Sequence, residues 1–538
     1  MRLLRAIFLL VLLASGLRAM PALALDASTV AKLAFGESDE KVAAVAALVA
    51  SGEERAMAIL QALTEGEVQT AGKQVLIVKG ESATDAVTGA GVRPLPEGRE
   101  DVVVNNRLRH ELEGAIAALR LVSPDRAIRL AAAKELASGA GADDAMLPLV
   151  RKALAKETDP DVKPILERIA ATMELKGGDK ASRLAAIKTL GASSNPNTKM
   201  LLLAILERTK DGGYAEPDAD VRREAQASLS AVEGRLAWAG RVGLFFSGVS
   251  LGSILLLAAL GLAITYGLMG VINMAHGELI MIGAYTTYVV QNVFRANFPG
   301  AFDAYLAFAV PASFMVSALV GMALERSVIR WLYGRPLETL LATWGISLVL
   351  IQGVRTIFGA QNVQVENPAF MSGGVEILAG VVLPWSRIVI IAFTAVVLVA
   401  MGMLLRRTRL GLFVRGVTQN RAMAACVGVP TARVDTWAFG LGSGIAGLAG
   451  CALSQIGNVG PDLGQSYIVD SFLVVVLGGV GQLAGTVYAA LGLGFANKLL
   501  ESWQGAVLAK IAVLVFIIVF IQKRPQGLFA LKGRVAEA

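Results

Sequence analysis

From Val242 onward the sequence is cut into apolar runs at about 243–268, 277–294, 303–323, 338–358, 386–405, 433–454, 468–482, 483–500 and 506–522. A helix needs about 20 apolar residues to cross the hydrocarbon layer, where an unpaired backbone amide is costly. Most of the runs meet that length, so this half of the chain reads as a polytopic bundle of about nine transmembrane helices. The run at 468–482 is short and Gly-rich, and a broken or re-entrant helix is an open alternative for it.

Charged residues make up 17% of the 538-residue chain, more than a protein that is membrane throughout would carry. They crowd into residues 26–241, which marks a composite: a signal segment at 1–24, a soluble domain at 25–238 and a membrane domain at 239–538. Residues 1–24 combine Arg2 and Arg5, an apolar stretch from Ala6 to Ala14 and the small-x-small ending Ala22-Leu23-Ala24. That pattern is expected of a cleaved secretory signal, so the domain after it is expected to be exported.

Orientation follows from the loops. Arg326, Arg330 and Arg335 follow the third run, Arg406, Arg407, Arg409, Arg415, Arg421 and Arg433 follow the fifth, and Lys523, Arg524, Lys532 and Arg534 close the chain. Residues 359–383 and 454–467 hold no Lys or Arg. Positive charge is retained on the cytoplasmic side, which predicts an exported amino-terminal domain and a cytoplasmic carboxyl terminus. The formal net charge of +7 is accounted for by this asymmetry. No Lys/Arg stripe interleaved with aromatics points to nucleic acid. Two cysteines, Cys426 and Cys451, and two histidines, His110 and His276, exclude a disulfide framework and a His-rich metal site.

The soluble domain is rich in Ala and Leu at helical spacing. Similar octads begin at Arg129 (RLAAAKEL), Arg183 (RLAAIKTL) and Arg222 (RREAQASL), and DPDV at Asp159 matches DADV at Asp218 as a helix start. The expected class is all-α, with a small HEAT-like solenoid in this half. An alternative places a short strand pair at 74–78 and 102–104.

Gly270 to Tyr285 reads GVINMAHGELIMIGAY, and Asn273, His276 and Glu278 stand there between apolar runs. Polar groups so placed mark a buried turn or the wall of a substrate path. The break is expected between the first two spans, at their cytoplasmic end. His276 either locks that break or meets substrate, and Glu278 either pairs with a charged substrate group or steadies the start of the second span. The segment resembles the signature of the permease subunits of branched-chain amino-acid ABC importers. The stretch LATWGISLVLIQGVRTIFGAQNVQVENPAFMSGG from Leu341, with the long leading extension, resembles the urea-transporter branch of that family.

The resemblance implies an inner-membrane permease of bacteria, itself not an enzyme. Its expected partners are a second permease, two ATP-binding subunits with ATP-Mg, and a periplasmic substrate-binding protein. No Walker A sequence occurs in the chain, so nucleotide is expected only on those partners. Urea is the expected cargo, with branched-chain amino acids as the alternative; a channel or secondary transporter carrying a sensing domain is a third reading. A path for urea requires amides, hydroxyls and carbonyls. Asn273, His276, Thr343, Trp344, Ser347 and Gln352 supply these, the last four near one stripe of the fourth span.

The longest basic loop, Arg406 to Asp435, contains a helix-forming section at 417–426 stopped by Gly428 and Pro430. A short helix between two spans is suited to dock on a cytoplasmic partner and move as a rigid body. The family resemblance makes it the coupling helix, carried by Arg415, Asn420, Met423, Ala424 and Gly428. VVVLGGVGQLAG at 474–485 allows close helix contact.

Overall fold

In the computed structural model the described residues run from 26 to 529, except 52–53, 81, 139–145, 178, 194, 209–212, 271–272 and 379. The expected signal segment lies outside them. The chain divides into two compact units, Met1–Leu236 and Ala237–Ala538.

The first unit contains α1 (Ala27–Phe35), α2 (Ser38–Ser51) and α3 (Glu54–Glu65), then a sheet, then α4 (Asn106–Arg120), α5 (Arg126–Ala137), α6 (Leu147–Lys156), α7 (Lys163–Gly177), α8 (Lys180–Ala192), α9 (Pro196–Leu206) and the beginning of α10 (Ala219–Met269). Short polar side chains start several helices: Asp26, Asn105, Asp125, Asp179 and Asn195 each accept a hydrogen bond from a first-turn amide. Val, Leu and Ala from α1 to α7 share one buried core.

The wholly helical expectation needs correction here. Strands β1 (Val68–Ala71), β2 (Gln74–Lys79), β3 (Ser82–Asp85), β4 (Gly91–Val92) and β5 (Glu100–Asp101) form an antiparallel sheet ordered β4-β3-β2-β1-β5. The strand expected at 74–78 is present, but it pairs with β1 through the tight turn at Gly72 (φ 61°), and Val102–Val104 lie just past β5. A two-residue hairpin closes with far less loop entropy than a pairing across some 25 residues.

The look-alike segments prove to share geometry as well as sequence. Arg129 at the start of α5 pairs with Glu157, while Arg126 pairs with Asp159 and Asp161 ahead of α7. In the same relation, Arg183 of α8 pairs with Glu216, and Lys180 with Asp218 just ahead of α10 and Asp220 in its first turn. Asp159 and Asp218 also accept from the amides of Val162 and Val221. Hydrogen bonds from the Arg129 guanidinium, which favour the charged form, hold the Glu157 carboxyl below the usual range against the opposing effect of burial.

The second unit continues α10 and adds α11 (His276–Asn297), α12 (Tyr305–Ser327), α13 (Pro336–Phe358), the hairpin β6 (Gly374–Leu378) and β7 (Val381–Pro384), α14 (Trp385–Arg407), α15 (Arg409–Gln419), α16 (Arg421–Cys426), α17 (Thr431–Ser454), α18 (Leu463–Gly478) and α19 (Leu483–Lys523). Among the described residues seven helical stretches are long and apolar enough to cross a membrane, two of them within α19, which breaks at Gly505 (φ 81°). The other two apolar runs of the sequence fall on α11 and α18. Polar side chains along its 22 residues keep α11 out of the seven. With 16 residues, α18 spans roughly 24 Å, less than the hydrocarbon thickness.

Helix α17 is the hub of this unit, with 19 of its 24 residues buried. Its glycines let neighbouring backbones touch. A Cβ at Gly450 would collide with the Ile280 carbonyl, and one at Gly447 with the Ser313 carbonyl; Gly442 meets Gly261 of α10. Lipid tails are as apolar as Leu, so such close approach and polar bonding replace the hydrophobic drive that assembles helices in water.

Candidate functional site

Helix α10 ends at Met269, Gly270 takes a left-handed turn (φ 69°), and the chain comes back along α10 before α11 begins. The His276 Nε2–H donates to the Ala258 carbonyl (3.1 Å), eleven residues before the end of α10. Ser347, which donates to Glu278 Oε1 (2.7 Å), stands eleven residues from either end of α13. Ser317 of α12, ten residues before that helix ends, donates to the Leu279 carbonyl (3.1 Å). The start of α11 therefore lies half-way along α12 and α13 and eleven residues short of the α10 end, about 16 Å from the α10 and α13 ends. The start of α11 does not lie at the end of the bundle as expected: Met274, whose amide meets Thr343, and His276, which meets Ala258, already stand inside it.

Here Thr343 and Ser347 of α13 meet the start of α11 at Met274 and Glu278, with Asn273 just ahead in the chain, while His276, two positions from Glu278, turns to α10. Asn273 Oδ1 accepts from the Ala275 amide (3.0 Å), and Thr343 Oγ1 accepts from the Met274 amide (3.2 Å). Glu278 is 1% exposed. Yet Asn273 Nδ2, His276 Nδ1 and Glu278 Oε2 are buried without a hydrogen-bond partner. Buried polar atoms are rarely left so, because each forfeits its hydration. The start of α18 meets the same point: Gly464 and Gly277 touch backbone to backbone, and Asp462 just ahead of α18 holds Arg355 of α13 (2.7 Å).

The four α13 residues do not share a stripe. Thr339, Thr343, Ser347 and Ile351, at four-residue steps, face the bundle. Trp344, 50% exposed, and Gln352, also exposed, lie about 100° from that stripe and point away from Glu278. Sequence reading passed over two residues of α11. Tyr285 Oη, seven residues beyond Glu278, and Gln291 Nε2 are also buried without partners, and the Tyr285 ring packs on Phe358 (4.7 Å between centroids). Their signal was polar groups recurring along the least apolar of the long helices.

In the basic loop the expected single helix at 417–426 is two. Asn420 adopts an extended conformation and its Oδ1 accepts from the Met423 amide (2.9 Å), ending α15 and capping α16. An Asn that bonds the amide three residues ahead competes with helix continuation. Arg415 Nε donates to the Gly411 carbonyl and lines a cavity of about 340 Å³ with Arg406 and Gln482. Ala424 is buried, Met423 is 61% exposed, and Gly428 (φ 87°) turns the chain toward α17.

The family model described as the permease component of branched-chain amino acid transport systems matches residues 244–522. The high-affinity branched-chain amino acid permease LivH of Salmonella typhimurium is 28% identical over 293 residues, 53% of this chain and 93% of its own length. BraD of Pseudomonas aeruginosa is 27% identical over 288 residues, 52% and 93% of the two chains. A probable LivH of Methanocaldococcus jannaschii is 24% identical over 296 residues, 51% and 88%. No solved structure matches. These relatives are nearly spanned by about half of this chain, so its other half is additional to them.

Proposed function

Because this chain belongs to the permease family of branched-chain amino acid transport systems, we propose that it is the membrane subunit through which an ABC importer passes branched-chain amino acids. The observation that carries the reading is the half-depth cluster inside the family-matched segment, where Glu278 keeps one carboxylate oxygen unbonded in a buried setting. An ammonium group is the partner such an oxygen lacks; neutral urea offers only weaker, uncharged donors. Branched-chain cargo therefore replaces urea as the leading reading, and the displacement of Trp344 and Gln352 from the cluster removes part of the support for urea.

Family membership implies ATPase and substrate-binding components beside this subunit. In the proposed arrangement the Arg-rich loops are cytoplasmic, residues 25–238 form a periplasmic solenoid-like domain, and the Arg409–Cys426 segment contacts an ATPase, with Met423 offered outward. Helix α11, starting part-way through the bundle, resembles the discontinuous helices that place binding groups near a membrane midplane. Access to the cluster alternates as ATP binding draws the loops together. Uptake of radiolabelled leucine and of urea into proteoliposomes holding the co-purified transporter tests the cargo. ATP-dependent leucine uptake is expected, and urea uptake without leucine uptake would reverse the assignment.

A further inference from the structure

At the end of the second unit opposite the α13 terminus Phe358, two more carboxylates are buried: Glu325 of α12, 2% exposed, and Asp435 of α17, 1% exposed. Arg421, the first residue of α16, donates to both oxygens of Asp435, and its guanidinium lies over the Tyr333 ring, 4.8 Å from the centroid. Tyr333 Oη donates to Glu325 Oε1 (3.3 Å), Thr436 Oγ1 donates to Glu325 Oε2 (2.7 Å), and Arg326 Nε donates to Thr436 Oγ1 (3.2 Å). These groups surround a cavity of about 160 Å³. Four chain elements thus share one closed network.

Within the basic loop, Arg415 and Asn420 bond to their own segment, whereas Arg421 reaches out to α17. A two-pronged Arg–carboxylate contact fixes direction as well as distance, and this one resists separation because the buried Asp435 carboxylate would be left without a partner, although Arg421 itself is partly exposed. Helix α17 in turn meets α11 backbone to backbone at Gly447 against Gly283 and at Gly450 against Ile280, two residues from Glu278. A shift of α16 is carried by rigid contacts from the loop to the start of α11.

We infer that Arg421 and Asp435, held by Glu325, Thr436 and Tyr333, are positioning residues that transmit movement of the Arg409–Cys426 segment to α17. The inference rests on the reading of that segment as the ATPase contact. Its test is substrate uptake per ATP hydrolysed in proteoliposomes carrying the assembled transporter. Arg421→Ala and Asp435→Asn are expected to retain ATPase subunits and hydrolysis while uptake per ATP drops at least tenfold. The exchange Arg421→Asp with Asp435→Arg is expected to recover the ratio to within about threefold. A ratio within twofold of wild type in Arg421→Ala, or an exchange that assembles without raising it, overturns the linkage. Where Arg421→Ala fails to assemble, Arg421→Lys keeps the charge but not the paired contact; it is expected to lower the ratio about threefold, and an unchanged ratio overturns the linkage. Failure of the underlying reading looks different: Met423→Asp then leaves ATPase association and hydrolysis at wild-type levels.

Discussion

The two buried carboxylate clusters of the second unit balance their bonds in opposite ways. Around Glu325 and Asp435 all four carboxylate oxygens are bonded to Tyr333, Thr436 or Arg421. Around Glu278 one oxygen is bonded to Ser347, and the other is buried without a partner, as are Asn273 Nδ2 and His276 Nδ1 nearby in the sequence. Burial charges both clusters the same cost of desolvation, so the difference lies in who supplies the compensation. A closed network is compensated by the protein and holds helices together. An open one is compensated from outside, which is the condition for binding.

The sharpest way to break this comparison is Glu278→Ala. Loss of a bond to a charged group is worth about 1.5–3 kcal/mol, so leucine uptake per folded transporter is expected to fall roughly 10- to 150-fold. Glu325→Ala should instead reduce the amount of folded protein, with uptake per folded molecule retained better than in Glu278→Ala. Equal losses of specific uptake in both variants would erase the distinction. Next in size is Gly450→Leu, which drives a side chain into the Ile280 carbonyl between the clusters. Overpacking of this kind costs about 1–3 kcal/mol, read as a lower unfolding temperature in detergent.

A smaller effect is expected at Glu157, a buried carboxylate outside the membrane unit whose partner is Arg129. Its pKa is lowered from the ordinary 4.5 by that hydrogen bond, so the stability it adds is complete above about that value. It is lost as pH falls through the depressed folded-state value. Hydrogen exchange in α5 and α7 should therefore show protection, corrected for intrinsic rates, declining on acidification in the wild type and less so in Glu157→Gln. Smallest of all, Trp344→Phe and Gln352→Ala should leave leucine uptake within about twofold, since neither side chain faces the open cluster. A tenfold loss would place them on the path after all.

Much of the architecture was legible before any coordinates. Apolar length placed the long membrane helices, and the separate runs at 483–500 and 506–522 already marked the break in α19 that falls at Gly505. Asp159 and Asp218 announced matching helix starts because capping is a local contact. Of the site, Asn273, His276 and Glu278 stood out by being polar where the surroundings were not. Their depth did not, since it depends on which neighbours α11 meets. The five-stranded sheet was half hidden because its strands are two to six residues long, too short for periodicity to speak.

By itself the sequence determined a membrane bundle behind a charged, mostly helical half, and it singled out the polar residues within the apolar runs, because hydropathy, charge and capping act along the chain. Only the tertiary structure decided that Glu278 finds Ser347 and leaves one oxygen free, that Arg421 closes on Asp435, and that Trp344 and Gln352 turn away. Those outcomes are pairings between residues 14 to 69 positions apart, or the rotation of one helix against others, and no local preference encodes them.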